Sequence, residues 1–340
     1  MGQNGGVEPL RWIDPPEGPA VALLDQTRLP DDEVTLVCRD VPALVAAIKN
    51  LAVRGAPLLG IAGGYGVALA AAIGADVASA ADVLAHARPT AVNLGWATRR
   101  VLAAHTARGA GGALTEAHAI AAEEAEASAK MGEHGLALVP DDARILTHCN
   151  TGALAAGGEG TALAVVVAAH RAGRLKHLWV DETRPLLQGA RLTAYEARRH
   201  GIPYAVLPDN AAGALFAAGE VDLVIVGADR IARDRSVANK VGTYPLAVLA
   251  HHHDVPFVVV APTSTIDPDA RTGADIPIEQ RDAAEVTCFA GRRTSPEGSA
   301  AYNPAFDVTP GDLVTAIVTE RGVITRANGG NLGLPGGTRH

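Results

Sequence analysis

Residues 221–267 read VDLVIVGADRIARDRSVANKVGTYPLAVLAHHHDVPFVVVAPTSTID. The run from Asp222 to Val226 is dominated by apolar and β-branched side chains, which predicts a buried strand. It ends on Gly227, Ala228 and Asp229. After a loop, Ala238 to Ala250 has the composition and spacing of a helix. Val255 to Ala261 then reads as a second buried strand. Two buried strands joined by a helix form a βαβ crossover, and strands so joined lie parallel. Ligands of open parallel sheets bind beyond the carboxyl ends of the strands. Asp229 and the Asn239–Lys240 pair both belong near that edge. An acid aimed into a cleft, with a lysine where a helix begins, suits acid–base chemistry on a phosphorylated molecule.

The same rhythm extends outward. Strand candidates at Arg144–His148, His177–Asp181, Tyr204–Leu207 and Phe257–Ala261 alternate with helical stretches at 160–171, 188–199, 210–218 and 239–252. This alternation predicts a doubly wound parallel α/β domain. Residues 291–300 read as a loop, and 310–324 as one more helix and strand. Upstream of Gly135 the pattern differs. Val21–Leu24 and Val34–Val37 read as short strands, and Val41–Leu51 as a helix. A glycine- and alanine-rich helix follows Arg54-Gly55-Ala56-Pro57, and 79–87, 93–108 and 115–135 have helical periodicity. The expected organisation is a mainly helical N-terminal domain with a short β portion over residues 1–135, and an α/β domain over 136–330. Residues 331–340 form a tail without periodicity, expected to be mobile.

A chain of 340 residues fits about two domains. At 48% hydrophobic it can bury a sizeable core, and with aromatics at only 4% that core must be aliphatic. The net charge of −8 and the lack of a basic run argue against nucleic acid as a partner. Cys38, Cys149 and Cys288 are too scattered for a metal site or a disulfide framework, which points to a reducing cytoplasm. The start MGQNGGVEPLRW lacks the basic and apolar regions of a signal peptide. Glycines interrupt the apolar stretch Leu58–Val77, so it reads as a core helix and not a membrane span.

Three segments carry candidate chemistry. In HCNTGALAAGGEGTAL, residues 148–163, a strand delivers Cys149 to a loop of small residues before a helix that begins near Gly160. Amides at that helix start could hold an anion, and the same field would favour a thiolate. A small buried cysteine at a strand end is the plainer alternative. In RGAPLLGIAGGYG, residues 54–66, an arginine beside a glycine suits a phosphate clamp, or else is a surface arginine at a helix entry. In DETRPLLQGARLTAYE, residues 181–196, Asp181 and Glu182 end a strand and Gln188 opens a helix, unless these are turn and capping residues. His251, His252 and His253 point in different directions on a helix, which suits a solvated helix end better than a metal site. There is no dinucleotide fingerprint, Walker loop or HExxH motif, so no cofactor and no metal is expected.

Taken together these segments resemble the methylthioribose-1-phosphate isomerase family, from about Leu51 to Gly322. RGAP, RPTAVNL, HCNTGALA, ETRPLLQGARLTAYE, GADRIA, ANKVGTY, APTSTID, IPIEQRD and NPAFDVTP occur in the family's order. Leu58 and the segment RDRSVANK depart from its usual pattern. The resemblance implies a helical N-terminal domain with a short β portion, a Rossmann-like C-terminal domain, and a homodimer that binds a phosphorylated pentose. It implies Cys149 and Asp229 as the catalytic pair. It implies substrate contacts at Arg54, Gly55, Ala56, Arg88, Gln188, Asn239 and Lys240. The family's reaction converts 5-methylthioribose 1-phosphate, an aldose, to the 2-ketose 1-phosphate in methionine salvage. Related isomerases act on 5-deoxyribose 1-phosphate or ribose 1,5-bisphosphate. Regulatory subunits of the translation-initiation guanine-nucleotide exchange factor are also related, and these have no need for a cysteine–aspartate pair.

Overall fold

A computed structural model describes residues 7–88 and 91–325. Pro89 and Thr90 of the RPTAVNL segment and the expected tail at 331–340 lie outside the described residues.

The chain opens with a three-stranded antiparallel sheet, β1 (Leu10–Ile13), β2 (Ala20–Leu24) and β3 (Thr35–Cys38), with β2 in the middle. Helix α1 (Val41–Lys49) starts where the Asp40 side chain accepts the Ala43 N–H at 2.8 Å, which satisfies one of the orphan donors of a helix start. Helix α2 (Ala56–Ala72) is buried on every side from Ala56 to Ala70, as an all-apolar helix must be. Its glycines let neighbours close in. A Cβ on Gly66 would sit 2.7 Å from a Leu84 methyl, in α3 (Val77–Ala85). Helix α4 (Val92–Leu136) breaks at Gly109, whose φ of 68° lies outside the helical region, so it is two helices in succession. Leu23, Leu44, Ile48, Leu69, Leu84 and Ile120 join these elements in one core.

The remainder alternates strand and helix: β4 (Ala143–Thr147), α5 (Ala153–Ala156), α6 (Ala162–Arg171), β5 (Leu175–Asp181), α7 (Ala194–Arg199), β6 (Tyr204–Leu207), α8 (Ala212–Ala217) and β7 (Leu223–Val226). There follow β8 (Arg230–Ile231), β9 (Val237–Lys240), α9 (Thr243–His252), β10 (Phe257–Val260), α10 (Ala284–Thr287), β11 (Cys288–Phe289), β12 (Arg292–Arg293), β13 (Phe306–Thr309), β14 (Ala316–Thr319) and β15 (Gly322–Thr325). Among the described residues the main sheet runs β15-β14-β10-β7-β4-β5-β6, parallel except for the antiparallel edge pair β14–β15. Side chains alternate across it. Ile145, Ile225 and Val258 pack on one face with Val165 of α6 and Met131 of α4. Leu146, Val224 and Val259 pack on the other with Phe216 of α8 and Leu246 of α9. The chain runs outward from β4 through β5 to β6, then returns to place β7 on the other side of β4. That reversal opens a crevice beyond the carboxyl ends of β4 and β7, where open α/β sheets bind ligands.

The parallel α/β fold is as expected, with four local corrections. Ala238, Asn239 and Lys240 are not helical. They belong to β9, which pairs with β8 and, antiparallel, with β13 much later in the chain: Lys240 lies opposite Phe306. The helix begins only at Thr243, after Gly242 at φ 107°. Residues 188–199 begin with a π-helical stretch, Gly189–Thr193, before α7. Residues 310–324 hold no helix; they form a turn and the β14–β15 hairpin. Within 291–300, Arg292–Arg293 pair with Cys288–Phe289.

Candidate active site

Cys149 stands two residues beyond β4 and Asp229 three beyond β7, so the two strands flanking the switch point supply both. The loops that carry them touch, since a Cβ on Gly227 would lie 2.8 Å from the Thr151 methyl. Cys149 has φ 63°, a conformation that costs a non-glycine residue energy and persists only where its surroundings enforce it. They do so here. The Cys149 N–H donates to Thr183 Oγ1 at 2.8 Å, and the Thr193 hydroxyl donates to the Cys149 carbonyl at 2.6 Å.

The N-terminal part reaches the same place through the start of α2. Gly55 has φ 93°, and a Cβ there would meet the Ala155 carbonyl oxygen at 2.2 Å, so only glycine lets this backbone lie against α5. Arg54 donates through Nη1 to Asn150 Oδ1 at 2.7 Å and through Nη2 to the Asn150 carbonyl at 2.8 Å. Asn150 in turn donates to Glu196 Oε2 at 2.6 Å. Glu196 is fully enclosed, and burial pushes its carboxyl up to about 7 against the pull of Asn150 and of the Leu154 amide.

A single cleft is lined by Cys149, Asp229, Arg54, Gly55, Ala56 and Arg88, and also by Gln188, Asn239 and Lys240. Every residue singled out as catalytic or substrate-binding from the sequence therefore faces one cavity. Burial raises the Asp229 pKa, while Lys240, Arg54 and Arg88 pull it back and Glu279 adds to the rise. Burial likewise lowers the Lys240 pKa, against the charges of Cys149 and Asp229. Lys240 donates to the Ala305 carbonyl at 2.8 Å and lies 4.7 Å from the centre of the Phe306 ring. Asn239 donates to Thr243 Oγ1 at 3.0 Å. Gln188 is 3% exposed, and among the described residues its Oε1 has no partner. A buried acceptor at a cleft can take a hydrogen bond from a donor that enters it.

Arg281 and Asn150 also belong to this cleft and went unmarked in the sequence. Arg281 lies in IPIEQRD, far from any strand end, and nothing local signals its position. It pairs with Glu279, which also binds Arg88 at 3.1 Å. Asp181 ends β5 and Glu182 follows it, at a strand end as expected, but Asp181 is buried against His148, behind the loop of Cys149. His251 and His252 are exposed at the end of α9, and His253 stacks on Phe216 at 5.7 Å. Among the described residues, the side chains that converge as metal ligands would are His148, Asp181 and Asp209 instead.

The sequence pattern of the Initiation factor 2 subunit family matches residues 52–326. Methylthioribose-1-phosphate isomerase of Anaeromyxobacter dehalogenans (strain 2CP-C) is 56% identical over 307 residues, 89% of this chain and 90% of that protein. The chain belongs to the methylthioribose-1-phosphate isomerase family. Its fold matches the crystal structure of 5-methylthioribose 1-phosphate isomerase from Pyrococcus horikoshii OT3 with a TM-score of 0.85 at 42% identity, over 94% of this chain and 92% of that one. It also matches a crystal structure titled translation initiation factor eIF-2B, subunit delta, from A. fulgidus. There the TM-score is 0.80 at 43% identity, over 94% and 96% of the two chains. The family's shared fold thus spans both isomerases and proteins described as translation factors. No described helix is long and apolar enough to cross a membrane.

Proposed function

We propose that this cleft converts 5-methylthioribose 1-phosphate to 5-methylthioribulose 1-phosphate in methionine salvage. The observation that carries the reading is the meeting of Cys149 and Asp229, from the two strands at the switch point, with Arg54 and Lys240 in one cleft. A phosphate on the anomeric oxygen blocks the simple hemiacetal opening of a free aldose. The ring oxygen must be protonated while the phosphate stays on C1. Asp229, whose pKa burial raises, is the proton donor in this reading. Hydrogen then moves from C2 to C1. Cys149 either takes and returns that proton as a thiolate or stabilises the transition state of a hydride shift. The net reaction is an isomerisation, so it consumes no oxidant or reductant and calls for no redox cofactor.

The charges around the cleft favour a single phosphate. Arg88 is paired with Glu279, and Arg281 with Glu279 and Glu285. Arg54 and Lys240 are hydrogen-bonded to neutral oxygens and, among the described residues, to no carboxylate. Two such cations match the charge of one phosphate dianion. Leu51, Leu59, Leu186 and Phe306 supply apolar surface in the same cleft, which suits a thioether better than a second phosphate. A role as a regulatory subunit is the second reading, prompted by the translation-factor title of one close fold match. The cysteine and aspartate in the cleft disfavour it.

In this reading residues 1–135 and 136–330 are two domains that close on substrate, with Arg54 from the first and Gln188 and Lys240 from the second. The enzyme is cytoplasmic and homodimeric, and uses neither nucleic acid nor a membrane. The test is an assay of the purified protein against 5-methylthioribose 1-phosphate, 5-deoxyribose 1-phosphate and ribose 1,5-bisphosphate, with products followed by NMR. The highest kcat/KM is expected for the first. A preference for the bisphosphate would overturn the substrate assignment, and no turnover of any would favour the regulatory reading.

A further inference from the structure

His148 precedes Cys149 and is 1% exposed, yet both of its ring nitrogens are engaged. Nδ1 lies 2.9 Å from Asp181 Oδ2, and Nε2 lies 2.9 Å from the Val241 carbonyl oxygen. A carbonyl oxygen only accepts, so Nε2 carries a hydrogen. The facing carboxylate oxygen is an acceptor as well, and Asp181 is itself 1% exposed, with Oδ1 lacking a partner among the described residues. A carboxylate ionised in that buried position requires an adjacent cation. Asp209 lies beside the pair, its two oxygens accepting the Thr183 and Arg184 amides at 2.6 and 2.7 Å. Asp307 accepts the Gly242 amide at 2.7 Å and also feels the His148 charge.

The contacts join the strand ends that build the cleft. His148 follows β4, Asp181 ends β5, Asp209 follows β6, Val241 follows β9, and Asp307 lies in β13. Cys149 is the next residue after His148, and Lys240 is the residue before Val241. Gly242 leaves space for the ring, since a Cβ there would approach His148 Cε1 to 2.7 Å. Thr183, which receives the Cys149 N–H, donates its own hydroxyl to the Asp181 carbonyl at 3.0 Å.

We infer that His148 is a positioning residue, an imidazolium held between Asp181 and the Val241 carbonyl that fixes Cys149 and Lys240 relative to one another. It touches no substrate; it acts through the two residues that do in the isomerase reading, on which this inference rests. Burial alone would lower the His148 pKa, but the hydrogen bond and charge of Asp181, the charge of Asp209 and the Val241 carbonyl outweigh it, and the net shift is upward. Burial also raises the Asp181 pKa, against the hydrogen bond and charge of His148; a single proton serves the Nδ1–Oδ2 contact, and with Asp181 ionised it belongs to the ring.

The test begins with the intact protein labelled with 15N-histidine, observed without substrate between about pH 6 and pH 9, the range that brackets an ordinary histidine. One histidine is expected to show both ring nitrogens protonated throughout, and in Asp181→Asn that signal should change to a neutral ring at the alkaline end. A single neutral tautomer in the wild-type protein overturns the inference. In steady-state assays His148→Gln should lower kcat about a hundredfold, the scale of a small misplacement of reacting groups, with KM little changed. The double variant with Asp181→Asn should be no slower, because the two residues act as a unit. A folded His148→Gln with wild-type kcat also overturns it. If His148→Gln does not fold, the ring-nitrogen signals and the kcat of Asp181→Asn decide. Those signals need no substrate, so they are read separately from the isomerase assignment.

Discussion

Replacing Arg54 probes the union of the two halves of the cleft. Asn150 takes two of its N–H groups, at 2.7 and 2.8 Å, and among the described residues the rest of the guanidinium is free for a ligand. A hydrogen bond to a charged group contributes about 1.5–3 kcal/mol. Losing one such bond to the phosphate therefore lowers kcat/KM by about tenfold to a hundredfold, at about 1.36 kcal/mol per factor of ten. Arg54→Ala has a second effect. The Arg54 charge pulls the Asp229 pKa down against burial, so its removal lets that pKa rise further. A proton donor is active while protonated, so the alkaline fall of kcat/KM should move to higher pH in Arg54→Ala. Arg54→Lys should return the limb most of the way by restoring the charge. It should restore kcat/KM only in part, because lysine lacks the planar fork that engages Asn150 and a phosphate together. Steady-state kinetics of the three proteins from about pH 5 to pH 9 measure both effects. An unchanged kcat/KM in Arg54→Ala, or a limb displaced to lower pH, would refute the reasoning.

Two further substitutions test other parts of the account. Gly55→Ala places a methyl 2.2 Å from the Ala155 carbonyl at a φ of 93°, so it should lower thermal stability by about 2 kcal/mol or more and reduce activity with it. Thermal melts beside kinetics check this, and a native-like melt would mean that the α2–α5 approach is looser than described. Glu124 in α4 is 6% exposed, and burial pushes its carboxyl up to about 7, with Ser264 opposing the rise and Glu320 and Glu123 adding to it. Its folded pKa exceeds the unfolded value, so its contribution to stability is present at low pH and is lost as pH rises through about 7. Glu124→Gln should thus gain on the wild type with rising pH, approaching about 3 kcal/mol at alkaline pH; an advantage independent of pH would contradict the assignment.

The sheet was legible because buried parallel strands are short continuous apolar runs. Residues 223–226 show this best: LVIV is buried at all four positions of β7, and FVVV likewise in β10. Once those strands are parallel, their carboxyl ends fix where Cys149 and Asp229 lie. The break in α4 was legible too, as a gap in helical spacing around Gly109. What stayed hidden depends on partners far away in the chain. Val237–Lys240 is extended because Phe306–Thr309 pairs with it, and nothing within ANKVGTYPLAVLA reveals that partner. The β14–β15 hairpin turns at residues 320–321 and enters β15 on Gly322 at φ 132°, a backbone property that the apolar pattern of 310–324 does not encode. Arg54 meets Asn150 across 96 positions of sequence, and Arg281 enters the cleft through Glu279. Polar contacts of this kind leave no periodic trace, so the motifs named the cleft's residues without revealing how they hold one another.

The turnover of Cys149→Ser and Asp229→Asn with 5-methylthioribose 1-phosphate tests the central claim most directly. Each keeps the shape of its side chain and removes its acid–base capacity, so circular dichroism and thermal melts should match the wild type. The account predicts that kcat falls by at least about a hundredfold in each, the usual scale for an acid–base group. Near wild-type turnover in either folded variant would contradict it.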